Sequence, residues 1–419
     1  MKKRFSVLIV FFVMVVGIPY GYATNGDNLM NIGPISRSMG GVGIAAPQDA
    51  ISAVFANPAA MCFGPFCPGS EFNFAGTLFM PKAYGKINLG GTTYQANSTE
   101  SVYAIPAIGL SVPITNSLPL WRFGLAAYGV SGLGVDYRNT ALDQSRFAGF
   151  GGFPLVAGEY TSLQIMKFAP SIAFQPNSRF SIGLAAHIDY AMLDLRSGTS
   201  NGYGFGVQLG TIYKIHNRVS LGLTYLTPQT VKHAKVRDFD GDGSADDLEL
   251  EAPQQVGLGV AFDLIPNMFL IELNGKWVNW NNAKGYSDFD WKDQYVFGVG
   301  AQYKVTPKLS LRAGYNYGNN PVSEHNNFIG FAPKQVQGKT MPTYYYETFR
   351  TIGFPAVVEH HATFGIGYEF SNRFGINLGF THAFSNSIKE RGTALNGQPV
   401  TIESNLSENS IEFGLTWRF

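Results

Sequence analysis

Apolar residues recur at every second position through much of this chain, and after residue 23 no run approaches the roughly 18 apolar residues that a membrane helix needs. Ile411, Phe413, Leu415, Trp417 and Phe419 alternate with Glu412, Gly414, Thr416 and Arg418. Val256, Leu258, Val260, Phe262 and Leu264 alternate with Gln255, Gly257, Gly259, Ala261 and Asp263. The pattern returns at 295–305 and 364–370. Period two sends successive side chains to opposite faces of a strand, so each run has one apolar face and one small or charged face.

Residues 1–23 read as an export signal. Lys2, Lys3 and Arg4 precede an apolar run from Val7 to Ile18, and Gly21-Tyr22-Ala23 supplies small residues for cleavage after Ala23. Thr24 would then begin the mature chain. An exported all-β chain with 14% charged residues, 14% aromatic residues and 49 glycines is either a β-sandwich or a transmembrane β-barrel. Three features favour the barrel. The non-apolar face is rich in glycine, which suits a lumen holding a plug. Aromatic residues gather at strand ends (Trp121, Tyr137, Tyr213, Trp277, Trp280, Trp291, Tyr317, Trp417), as interfacial girdles require. The chain also stops on a strand that ends in Phe419. A net charge of +1 offers no electrostatic footprint for nucleic acid.

Short turns, such as Pro176-Asn177-Ser178 and Thr306-Pro307-Lys308, alternate with longer polar loops near 88–99, 139–158, 196–203, 237–248, 283–294, 320–356 and 388–405. The intervening strands fall near 71–85, 101–114, 120–137, 159–175, 180–195, 204–216, 219–236, 248–265, 269–282, 294–306, 309–319, 357–371, 374–387 and 405–419. That predicts an antiparallel barrel of fourteen strands over 71–419 with both ends in the periplasm. Residues 24–70 show no strand pattern. A barrel of this width cannot be filled by its own side chains, so 24–70 is expected to plug the lumen as an N-terminal hatch. Its apolar residues Ile44, Ile51, Val54 and Phe55 weigh against a disordered tail.

The run Ser38-Met39-Gly40-Gly41-Val42-Gly43-Ile44-Ala45, followed by Asp49-Ala50 and Ala56-Asn57-Pro58-Ala59, resembles the hatch of the FadL/TodX family. Phe354-Pro355-Ala356-Val357-Val358-Glu359-His360-His361 resembles the family's approach to its twelfth strand. The family comprises outer-membrane transporters of long-chain fatty acids and aromatic hydrocarbons. The resemblance implies a passive channel: loops capture ligand, a pocket beside the hatch N-terminus holds it, and a kinked third strand releases it sideways. It points to Gly40, Gly41, Asn57, Pro58 and Ala59 as hatch residues and to Gly129, Ser131 and Gly132 as the kink, with Asn57-Pro58-Ala59 expected against that kink. The loop at 139–158 is shorter than the family's helical loop. The alternatives are a general diffusion porin, which would need an open charged lumen, and a barrel enzyme, for which no nucleophile motif is found.

Asp238, Asp240, Asp242, Ser244, Asp246 and Glu249 fit the spacing of a twelve-residue calcium loop, here between strands and outside the cell. An acidic turn is the alternative. Calcium is the only cofactor expected. Cys62 and Cys67, in an exported chain, are expected to form a disulfide. His360 and His361 point to opposite faces of one strand and cannot share an ion. The expected partners are a hydrophobic ligand, outer-membrane lipid and lipopolysaccharide, and the chain is expected to be a monomer.

Overall fold

The computed structural model describes residues 24–419, with only the backbone described at 131–133; the expected signal peptide lies outside the described residues. Fourteen strands form the barrel wall. They are β1 Glu71–Leu89, β2 Tyr103–Pro113, β3 Leu120–Asp136, β4 Tyr160–Asn177, β5 Phe180–Asp194, β6 Thr199–His216 and β7 Val219–Leu226, then β8 Gln255–Ile265, β9 Phe269–Val278, β10 Gln294–Lys304, β11 Leu309–Gly318, β12 His360–Glu369, β13 Phe374–Thr393 and β14 Pro399–Arg418. Each pairs antiparallel with its sequence neighbour, and β14 closes the ring on β1, from Arg418 opposite Glu71 to Val400 opposite Leu89. The same sheet carries two accessory strands outside the ring, Thr92–Asn97 on β1 and Asn326–Ile329 on β13.

The alternation has the sense a membrane demands. On β14, Trp417 is 56% exposed, whereas Glu412 is fully buried. Leu258, Phe297 and Ile366 likewise face outward, and Glu272, Gln302, Arg312 and Thr363 face inward. The apolar side faces lipid and the polar side is the molecule's interior.

Several sequence-based boundaries are corrected. The expected long strands 219–236 and 248–265 are each interrupted. Pro228 and Pro253 lack the N–H a ladder needs, so β7 stops at Leu226 and β8 starts at Gln255, while Gln229–Arg237 and Asp246–Ala252 form a separate hairpin. The expected loop 388–405 is instead a tall hairpin of β13 and β14. Within 320–356 lie a small hairpin (Pro333–Val336 with Lys339–Pro342), the helix Thr343–Thr348 and the turn Phe349–Gly353.

Residues 24–70 pack against the inward faces of the strands. The helix Ala50–Ala56 starts where the Asp49 side chain caps Ser52 N, and it ends before Pro58. Its first two amides donate to barrel side chains, Ala50 N to Glu71 (2.9 Å) and Ile51 N to Asn73 (3.1 Å). Glu272 accepts from Gly43 N and Ala45 N at 3.1 and 2.8 Å. Arg37 is wholly buried and binds Glu412 at 2.8 Å and Ser410 at 2.7 Å. Glycine on the wall admits this backbone: a Cβ on Gly300 would collide with the Met39 carbonyl, and one on Gly314 with Gly40 N. Gly40 itself sits at φ +69°, where a Cβ would lie 2.6 Å from Tyr315 O.

Arg37→Met is expected to leave Glu412 buried without its cation, at a cost of about 3–5 kcal/mol. Chemical denaturation of the detergent-solubilised protein measures this. Arg37→Met with Glu412→Leu should recover most of the loss, and a double variant as unstable as the single would show that the pair is not what anchors this segment.

Candidate transport site

The third barrel strand carries the irregularity. β3 pairs with β4 along its length, but the register shifts between Gly129 and Ser131. Tyr128, Gly129 and Val130 are all buried in succession, which breaks the alternation as a bulge does. On the other side, the β2–β3 ladder runs from Pro113 opposite Arg122 only as far as Ala107 opposite Tyr128. Above that point β2 continues along β1 through Tyr103, and β3 continues along β4 through Asp136. Pro106 is the next residue of β2, and it has no N–H to extend the ladder.

The two strands meet again only where Thr99 N donates to Asp136 O at 2.8 Å. Between these closures, 129–135 of β3 has no ladder partner on its β2 side. At the usual rise this window is roughly 23 Å tall. Ile105 faces Gly129, and the Tyr103 hydroxyl faces Gly134.

Three spaces lie in the barrel and its outer loops. On the outer face, a cleft of about 480 Å³ is lined mainly by apolar groups, among them Phe150, Phe153, Val156, Met341, Tyr345 and Phe349. The 139–158 loop contributes its wall with only one short turn, Ala148–Phe150. Below it, Arg350, Phe354, Tyr286, Phe289 and Trp291 narrow the path to about 20 Å³. Behind the β3 bulge is a pocket of about 60 Å³ bordered by Leu29, Phe55, Tyr128, Val130 and Leu226, with Lys276 among its polar groups. Its polar side is an ordered network. Lys167 pairs with Asp189 at 2.6 Å and donates to Gln229, and Gln208 donates to Phe55 O at 3.0 Å. The Lys276 ammonium donates to Met30 O at 3.3 Å.

Asn57-Pro58-Ala59 does not sit at the bulge. Asn57 donates to Ile44 O and Thr211 O at 2.9 and 3.0 Å, Pro58 and Ala59 press on Gly183, and Ser181 donates to Ala59 O at 2.8 Å. The motif therefore locks onto β5 and β6, where glycine leaves room for its backbone. The parts of the hatch that meet β3 are Asn28–Leu29, the helix Ala50–Ala56, whose Phe55 ring packs edge-on against Tyr128 at 5.3 Å, and Met61 beside Gly124. Gly40 and Gly41 lie elsewhere again, with Gly40 bonded to Thr363 and Asn316 at 2.9 and 3.0 Å.

Of the six calcium-loop residues, Asp238, Asp240 and Asp246 converge. Lys339 enters that cluster, 2.6 Å from Asp246 and 3.3 Å from Asp240. Burial opposes ionisation of Asp246, yet its bonds to Lys339 and Phe239 N hold the carboxyl below its ordinary range. Asp242 turns back onto Ser244 N at 2.7 Å. Glu249 is held in the second strand of the hairpin and pairs with Lys284 at 2.8 Å, so the expected twelfth ligand is not delivered. The expected disulfide is likewise not formed. Cys62 and Cys67 are free thiols, because Cys67 turns its Sγ to Met61 O at 2.9 Å. His360 is exposed and His361 buried on opposite faces of β12, as their spacing required.

Comparison with known proteins follows from this geometry. A family model described as "Outer membrane protein transport protein (OMPP1/FadL/TodX)" matches residues 192–331. The match to the FadL/TodX family model is confined to that stretch of the chain. No curated protein matches its sequence. Among solved structures, the Pseudomonas putida toluene transporter TodX superimposes with a TM-score of 0.67 at 18% identity, covering 93% of this chain and 99% of that one. A Pseudomonas aeruginosa FadL homologue gives 0.67 at 15% identity over 95% and 99%, and the Ralstonia pickettii toluene transporter TbuX gives 0.61 at 16% identity over 93% and 99%. These likenesses establish the shared barrel fold. The family match over residues 192–331 is to outer-membrane transport proteins, and the solved structures add the barrel fold.

Sequence reasoning missed the polar network behind the bulge. Lys167 and Asp189 on inward strand positions were its signal, since charge on a lumen face needs a partner. It also missed Pro106, whose position inside a wall strand marks a place where pairing must fail.

With Lys339 seated among the three aspartates, Glu249→Gln is expected to leave any calcium binding unchanged. Isothermal titration of wild type and variant tests this, and a selective loss in Glu249→Gln would restore the twelve-residue loop.

Proposed function

We propose that this protein conducts hydrophobic compounds, of the long-chain fatty acid or hydrocarbon class, passively across the outer membrane and releases them sideways through the β2–β3 window. The observation that carries this reading is the missing ladder above Ala107 and Tyr128. A wall strand in lipid ordinarily satisfies every backbone group through its neighbours, so a window of unpaired backbone is tolerated where it borders a cavity. The pocket behind the bulge lies beside it.

The outer cleft falls in the size range of small-molecule sites and serves as the point of capture. Its apolar walls remove ligand surface from water, worth about 25 cal/mol for each Å² buried. The inner pocket, at about 60 Å³, holds only a few waters. An alkyl chain enters it when Asn28–Leu29 and Met30 withdraw, so the arrangement reads as a closed gate. The filled lumen weighs against a general diffusion porin. The protein acts as a monomer among outer-membrane lipid and lipopolysaccharide.

Gly132→Val is expected to stiffen β3 and reduce uptake of labelled fatty acid or toluene by at least tenfold, with unchanged folding by heat-modifiable gel mobility. Normal uptake would reject the lateral route. In planar bilayers the wild type should give no large steady conductance, whereas a persistent ohmic pore would favour the porin.

A further inference from the structure

The 320–356 loop is tied to the wall by a cluster that shares Arg350 with the constriction below the outer cleft. His325 Nδ1 lies 2.9 Å from Glu347 Oε1, and the His325 backbone N–H donates to Glu390 Oε1 at 2.9 Å. One ligand atom from each of His325, Glu347 and Glu390 lies within 4.8 Å of the other two. Arg350 braces the remaining carboxylate oxygens: its Nε binds Glu347 Oε2 and its Nη2 binds Glu390 Oε1. That leaves Glu390 Oε2 buried with no hydrogen-bond partner, on a residue that is fully buried.

Two buried carboxylates face each other here with only one full cation, Arg350, held between them. The imidazole is oriented for a ligand. Its Nε2 faces Asp290 at 3.6 Å, and Asp290 is fixed by Tyr346 OH at 2.7 Å and Lys334 at 2.9 Å. At 3.6 Å, Nε2 is outside hydrogen-bond reach of Asp290, so the carboxylate in direct contact with the ring is Glu347. The 2.9 Å contact of Nδ1 with Glu347 Oε1 holds a proton or a metal ion between the two atoms.

We propose that His325 Nδ1, Glu347 Oε1 and Glu390 Oε2 bind one divalent transition-metal ion of the zinc class. One imidazole and two carboxylates suit zinc, and a water completes four-coordination. The alkaline earths prefer all-oxygen shells. Arg350 acts in the outer shell, orienting the ligands. The ion clamps the helix Thr343–Thr348 and the turn after it to β13. Because Tyr345 and Phe349 line the outer cleft, it also fixes that cleft's wall.

The test uses the mature protein in detergent, stripped with chelator and titrated with zinc, with cobalt as a spectroscopic probe. The expected result is one equivalent of zinc bound and a visible cobalt band. His325→Gln, at a half-exposed position, should weaken binding at least tenfold while the barrel folds normally. Glu390→Gln should do the same, and if it fails to fold the histidine variant still decides. Zinc should also protect Lys334 and Lys339 from trypsin in wild type only. Failure of the wild type to bind an equivalent, as when the two carboxylates merely share a proton, overturns the proposal. So does binding that survives His325→Gln or is lost instead in Asp240→Ala.

Discussion

Backbone N–H and C=O groups inside hydrocarbon have only one source of partners, the next strand. That requirement explains why the chain closes into a ring, with β14 returning to β1 over nineteen paired positions from Val400 to Arg418. It also makes any gap in the ladder informative. The gap between β2 and β3 is produced by two local features that agree: Pro106 cannot donate, and the bulge after Gly129 turns β3 off register. Neither alone would open a window. Together they remove pairing along 129–135 while Thr99 and Asp136 keep the strands joined above.

The interior follows from the same rule applied to the plug. The hatch has little regular structure, so its amides must find side chains on the wall. Glu71, Asn73 and Glu272 accept from four of its amides, those of Gly43, Ala45, Ala50 and Ile51, and Arg37 answers Glu412. Such buried pairs are costly to break and contribute little net stability when intact. Their effect is positional. They fix the hatch along β1, β9 and β14, leaving Asn28–Leu29 and the Phe55 side chain beside the window. Anchoring is thus dense where the hatch must stay and sparse where a ligand must pass.

How much of this was legible depends on the range of the interaction that decides it. Strand number and facing were readable because period two is local, and Ile411 to Phe419 declares its lipid face residue by residue. The hairpin at Gln229–Arg237 was misjudged because alternation continues through Pro228 and Pro253, and the prolines outrank it. The site was harder. Gly129 and Ser131 marked the bulge, but Asn57-Pro58-Ala59 was assigned to the wrong wall, since contacts with Gly183 and Gly210 depend on where a coil of 47 residues doubles back. Arg37 and Glu412 are 375 residues apart. No spacing rule reaches that far. The pairing of Lys339 with Asp240 and Asp246 is likewise a meeting of two loops.

The outer loops and the window make opposite demands. The cleft must present apolar surface to water without collapsing, so its walls need rigid support from outside the apolar patch. Polar clusters supply it on both flanks: Lys339 with the aspartates on one, and Arg350 with His325, Glu347 and Glu390 on the other. The window has to yield, and there the support is withdrawn: a proline, glycines and an unpaired Tyr103 hydroxyl stand where ladder bonds would be. Capture and release are therefore separated by stiffness as well as by distance. A ligand moving inward passes from the region where charges hold the fold to the region where backbone bonds are missing.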